Sequence, residues 1–148
     1  MANTQAMCSS FKTELLTGTH VIGTDVLKIA LFTAAGGSMG AATTAYATTV
    51  NGAVEVADSG TYAAGGSTVT FQAPALTGTT AYTGPTSASE ISWTTFTATG
   101  FDAALIYNSS KSNKAIGVYT FISQTITAGT FKITFPTNAA GTALVNLA

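Results

Sequence analysis

Beyond Gly18 the chain never sustains a helical period, and this restricts its fold more than any other feature. Apolar residues come instead in short runs, separated by Gly, Pro and Asn, as expected for strands joined by turns. Asp25 to Thr33 is almost continuously apolar, which suits a central strand covered on both faces. Ser67 to Ala73 alternates Val69 and Phe71 with Thr68, Thr70 and Gln72. Glu90 to Ala98 alternates Ile91 and Trp93 with Ser92 and Thr94, and Phe96 breaks the phase, a sign of a bulge or a two-faced strand. Phe101 to Tyr107, Ala115 to Ile122, Thr130 to Phe135 and Thr142 to Leu147 read as further strands.

The connections agree with this reading. Asn51-Gly52 is a strong turn pair, and Ala34 to Gly40 is a glycine-rich loop. Ala41 to Thr49 carries conflicting Ala-rich and Thr-rich signals. Pro74, Pro85 and Pro136 fall at strand ends or in loops, where a missing N–H does no harm. Pro74 to Ser89 is too long for a tight turn, so it is expected to cross between sheets or to lie on a neighbour. Several short strands without alternating helices predict an all-β fold, a sandwich or barrel, over residues 19–148.

Residues 1–18 differ. Met7, Phe11 and Leu15 recur at i, i+4 and i+8 with Cys8 and Leu16 beside them, one apolar stripe on a helix. The spacing predicts a helix over residues 4–17, capped by Asn3 or Thr4 and ended by Gly18.

Composition narrows the function. Charged residues are 7% of the 148, against about 25% in an ordinary soluble domain. There is no arginine, and Lys12, Lys28, Lys111, Lys114 and Lys132 are outweighed by six acids, for a net charge of -1. Nucleic-acid binding and membrane-surface binding both need clustered cations, so neither is expected. About a fifth of the residues are threonine, which favours strands. A surface of Thr, Ser and Ala is also less costly to bury against a partner than one of Lys and Glu.

The first ten residues lack a basic start and an apolar stretch, so no signal peptide is expected there, and no run is long enough for a transmembrane helix. The lone Cys8 excludes an internal disulfide, which fits synthesis in a cytoplasm.

Little chemistry is available. Gly36-Gly37-Ser38-Met39-Gly40 matches the G-x-S-x-G nucleophile elbow and follows a predicted strand. The only histidine, His20, lies upstream of Ser38, against the order of that fold, and the parallel α/β framework is missing, so the motif reads as a loop. One His and one Cys cannot build a zinc site, and Asp25, Asp58 and Asp102 lack calcium-loop spacing. No enzyme, metal, cofactor or small-molecule substrate is expected. Asn108-Ser109-Ser110 is a glycosylation sequon that reads as a polar turn. His20 reads as a hydrogen-bonded residue at a helix-to-strand junction. Trp93 and the tyrosines could stack on sugars, but aromatics at strand spacing are more often core.

Four stretches carry a resemblance. They are Met7-Cys-Ser-Ser-Phe-Lys-Thr-Glu-Leu-Leu16, Leu27-Lys-Ile-Ala-Leu-Phe32, Gly60-Thr-Tyr-Ala-Ala-Gly-Gly66 and Ala104-Leu-Ile-Tyr-Asn-Ser-Ser-Lys-Ser-Asn-Lys-Ala115. In this order, over most of the chain, they resemble a family of small virion proteins of tailed bacteriophages. The resemblance implies a capsid decoration or cement protein: a β-sandwich of jelly-roll type with a short N-terminal helix. Such a protein sits on the outside of the head as a dimer or trimer and bridges capsomers of the major capsid protein. Its expected location is the virion, after synthesis in the bacterial host. Phe11, Leu15 and Leu16 on the helix would either close the end of the sandwich or reach the shell. Asn108, Lys111, Asn113 and Lys114 on the hairpin would offer it a polar contact. The main alternative is a tail or host-adhesion module that binds glycans.

Overall fold

The computed structural model describes residues 2–86 and 90–148. In chain order the elements are β1 (Ala6–Met7), α1 (Ser9–Leu16), β2 (Leu27–Thr33), β3 (Thr49–Val50), β4 (Ala53–Val54), β5 (Ser67–Val69), β6 (Ala75–Thr77), β7 (Thr80–Thr83), β8 (Glu90–Asn108), a 3-10 turn (Ser109–Lys111), β9 (Lys114–Thr134) and β10 (Val145–Leu147). The described chain is mostly β, with antiparallel sheets and one short helix. The largest sheet has the order β1-β9-β8-β2-β5; β10-β7-β6 and β3-β4 form two smaller ones.

Four expected strands turn out to be two. Residues 90–98 and 101–107 are one strand, β8, and residues 115–122 and 130–135 fall on β9, so a single hairpin dominates the molecule. It is not straight. Phe121 and Phe131 have ring centroids 5.4 Å apart, where ten residues of straight strand would separate them by about 33 Å. The bend sits at a run of register shifts between Trp93 and Ala103, with Thr95 and Ala128 at φ 53 and 49. Bulges turn a strand in this way, and Phe96, out of phase in the sequence, lies inside that run.

The bent hairpin therefore contributes to two layers. Its closed end (101–108 with 114–121) joins β2 in the main sheet, and Ile29, Leu31, Ala104 and Ile106 are fully buried there. Its open end (90–98 with 126–134) folds back over that sheet, where the Trp93 indole donates to Ser67 Oγ at 2.8 Å. Trp93, Phe96, Phe101 and Phe131 interlock between the layers, with Phe101 and Phe131 edge to face at 4.9 Å. On the other face of β2, Phe32 meets Tyr46, which stacks on Tyr107 at 4.3 Å. As its apolar run predicts, β2 is covered on both sides.

Local signals explain the smaller elements. Asn51 and Gly52 both have positive φ (46 and 81), as the predicted two-residue turn between β3 and β4 requires. A Cβ on Gly52 would lie 2.3 Å from the Gly36 carbonyl oxygen, so no other residue fits there. The expected crossing segment 74–89 is different: residues 75–83 form the β6–β7 hairpin, and β7 pairs with β10. Residues 87–89 of that segment lie outside the described residues.

The predicted helix is shorter than its stripe. It spans Ser9–Leu16, and Asn3 caps nothing. The Asn3 amide instead donates to Asp102 Oδ1 at 2.7 Å and accepts from the Met39 N–H at 3.0 Å. Ala6 and Met7 pair with β9, which satisfies backbone groups that a first helical turn would leave open. The C-terminus is as predicted. Gly18, at φ 70, donates to the Leu15 carbonyl and Thr19 to the Glu14 carbonyl, a Schellman closure.

Candidate interaction surface

An eight-residue helix is marginal alone, so α1 depends on what it covers. Phe11 is fully buried and meets the His20 ring at 4.9 Å, a burial that contributes about 1.5–3 kcal/mol. Phe11 is therefore interior, which corrects its expected role as a partner contact: the side chain packs in the hydrophobic core. Leu15 is half-buried, and Leu16 projects outward with 90% exposure. The helix thus has one face turned to the core and one left exposed.

Beside Leu15 an apolar groove opens between α1 and the β10-β7-β6 sheet. Phe11, Leu15, Ile22, Pro74, Val145 and Leu147 line it. Leu76, Ala81 and Leu147 lie opposite one another in register, in one row across that sheet. Leu76 and Leu147 are 69% and 56% exposed. They add uncovered apolar surface beside the groove, and Leu16 adds more on the outer face of α1. Isolated exposed leucines are ordinary; a row of them beside an apolar groove is the pattern of a contact surface.

The hairpin tip behaves differently from expectation. Asn108 is fully buried: its amide N–H donates to His20 Nδ1 at 3.0 Å and to Asp25 Oδ2 at 2.7 Å. Its carbonyl oxygen accepts from the Ser110 N–H at 3.0 Å. Asn108 is thus a structural clamp, and its expected partner contact is withdrawn. Lys114 pairs with Glu14 at 2.5 Å and Lys111 with Asp25 at 3.7 Å. Both cations are engaged within the chain. Asn113 alone of the four is exposed, at φ 60, and its carbonyl accepts from the Tyr46 N–H.

These bonds tie helix to hairpin. His20, as expected at its junction, is hydrogen-bonded on both ring nitrogens, the second to Glu14 Oε2 at 2.8 Å. Burial alone would raise the Glu14 carboxyl, but hydrogen bonds and charge from Lys114 and His20 outweigh it and hold the group below its ordinary range. Asp25 is likewise lowered against its burial, by the Val21 N–H, Asn108 and Lys111.

A second polar cluster lies under the other face. Glu55, nearly buried, accepts from the Tyr46 hydroxyl at 2.6 Å, the Tyr62 hydroxyl at 2.9 Å and the Gly65 N–H at 2.6 Å. Burial and the Glu55 charge push the Tyr107 hydroxyl up to about 12. The cluster joins loops to the sheet.

Ser38 of the G-x-S-x-G match donates to the Asn51 carbonyl at 3.0 Å, and His20 is engaged with Glu14 and Asn108. Among the described residues no three His, Cys, Asp or Glu side chains are placed to hold a metal ion. No described helix is long and apolar enough to cross a membrane.

The sequence reading missed the sheet side of the groove. Val145 and Leu147 were legible as strand residues, but nothing local showed that β10 pairs with β7 beside the helix. Comparison of the chain with protein-family models, curated proteins and solved structures finds no match.

Proposed function

We propose that this chain is a capsid decoration protein of a tailed bacteriophage, without catalytic activity, which binds the outside of the head and stabilises contacts between capsomers. In this reading the apolar face around Leu16 and Leu147 docks on the major capsid protein, and a jelly-roll form of the sandwich belongs to the same proposal. The observation that carries it is the row of exposed leucines beside the groove, on a chain whose surface charge is sparse and largely paired internally. The resemblance of four stretches to phage virion proteins names the partner. A glycan-binding module would need well-exposed aromatics, yet Trp93, Tyr62 and Tyr107 are at most 2% exposed and Tyr46, Tyr82 and Tyr119 only partly so.

The test is sedimentation of the purified chain with expanded heads that lack it. The chain should pellet with heads and raise their resistance to heat. Leu16→Asp and Leu147→Asp, at exposed positions that leave the fold intact by circular dichroism, should abolish both effects. Pelleting unchanged in both variants would show that another surface docks; no pelleting of the parent chain would sink the reading.

A further inference from the structure

The open end of the hairpin leaves one backbone edge without a partner. β1 covers β9 only at Gly117 and Val118, and among the described residues no strand pairs with the outer side of residues 119–134. On the opposite edge of this ribbon a loop supplies partners, with the Thr94 N–H donating to Thr61 Oγ1 and the Thr97 N–H to Ser59 Oγ. Natural sheets protect such edges with lysines, prolines or bulges. Here register shifts interrupt β9 near residues 121–123 and 127–128, and Pro136 follows the strand. Gly129 to Thr134 remains a regular stretch with one charge, Lys132, already paired with Glu90 at 2.6 Å.

We propose that residues 129–133 pair antiparallel with the same residues of a second copy, extending the ribbon across a two-fold axis at Phe131. The register follows from elimination. Side chains must stay on their own faces, so the axis passes through a residue and not between two. An axis at Lys132 sets two lysines directly opposite each other, which is destabilising. An axis at Thr130 runs into the shift at 127–128. An axis at Ile133 sets Thr130 opposite Pro136, which has no N–H to give. Centred on Phe131, the strands place Phe131 against Phe131, Ile133 against Gly129, and Lys132 against Thr130 of the second copy.

The one cation on this edge, Lys132, is already neutralised by Glu90 of its own β8, so no net charge opposes a second copy there. Because both copies use the same edge, the pairing closes at two and does not propagate. The inference concerns the free chain and specifies the self-association that the proposed function calls for. A chain that binds heads as a monomer would overturn this inference and leave that function standing.

Sedimentation velocity on the intact chain should give a dimer. Thr130→Lys sets lysines opposite Lys132 on both sides of the axis and should weaken the dimer at least about tenfold. Ile122→Lys, at an exposed site outside the stretch, should leave it unchanged. On oxidation, Thr130→Cys combined with Lys132→Cys should yield a covalent dimer, while either substitution alone yields little. Cys8 does not interfere, being buried with its thiol pushed up to about 11 by that burial and the Glu14 charge. A monomer or a trimer, a dimer indifferent to Thr130→Lys, or strongest cross-linking through Lys132→Cys alone would each overturn the pairing.

Discussion

The two ends of the β8–β9 hairpin share strands and sequence style but have different surroundings. At the closed end, β9 lies between β1 and β8, β8 lies between β9 and β2, and Ala103 to Ile106 show no exposed surface. At the open end the same strands form a narrow ribbon, and Thr125, Thr127, Thr130, Lys132 and Thr134 are exposed on β9. One end fills the interior; the other brings a ring cluster to the interior on one face and keeps the opposite face outside. The bend between them lets one hairpin do both, and it separates positions that carry stability from positions free to meet a partner.

Breaking the interior side should have the largest effect. Phe101→Ala removes the ring that both layers share and should cost about 3–5 kcal/mol in denaturant unfolding. Asn108→Ala opens the clamp at the closed end; it strands His20 Nδ1 and the Ser110 N–H, and should cost about 1–3 kcal/mol. A loss close to zero there would mean that the tip is free, as the sequence alone suggested.

Acid should loosen the same end. Glu14 and Asp25 have folded values held below their ordinary 4.5 and 3.8. Each therefore contributes stability that is present above its ordinary value and lost as the pH falls through the folded one. Denaturant midpoints should drop below pH 4.5, and Glu14→Gln should make that drop shallower. The smallest effect belongs to the bend between the two ends: Ile122→Thr, at a site 85% exposed, should change stability by no more than about 0.5 kcal/mol.

The same contrast explains what was legible. Short apolar or alternating runs exposed β2, β5, β8, β9 and β10, Asn51-Gly52 marked the β3–β4 turn and Gly18 the end of α1, because these signals are local. The bend was visible only as the phase break at Phe96; folding the hairpin over β2 depends on contacts far apart in sequence, such as Trp93 with Ser67. The helix lost its first turn for a similar reason, since β9 offered Ala6 and Met7 a better set of hydrogen bonds. At the candidate surface, Leu15 and Leu16 were found by helical spacing. Asn108 and Lys114 were misjudged because a polar hairpin tip looks the same in sequence whether it meets solvent or Glu14, His20 and Asp25. Leu147 and Leu76 became part of the surface only through the pairing of β10 and β6 with β7.

The central claim is that the exposed leucine face serves attachment to a phage head. Quantitative mass spectrometry of intact virions, counting this chain against the major capsid protein, tests it most directly. Hundreds of copies per particle, in fixed proportion to the shell protein, are the predicted result. A handful of copies, or none, would contradict it.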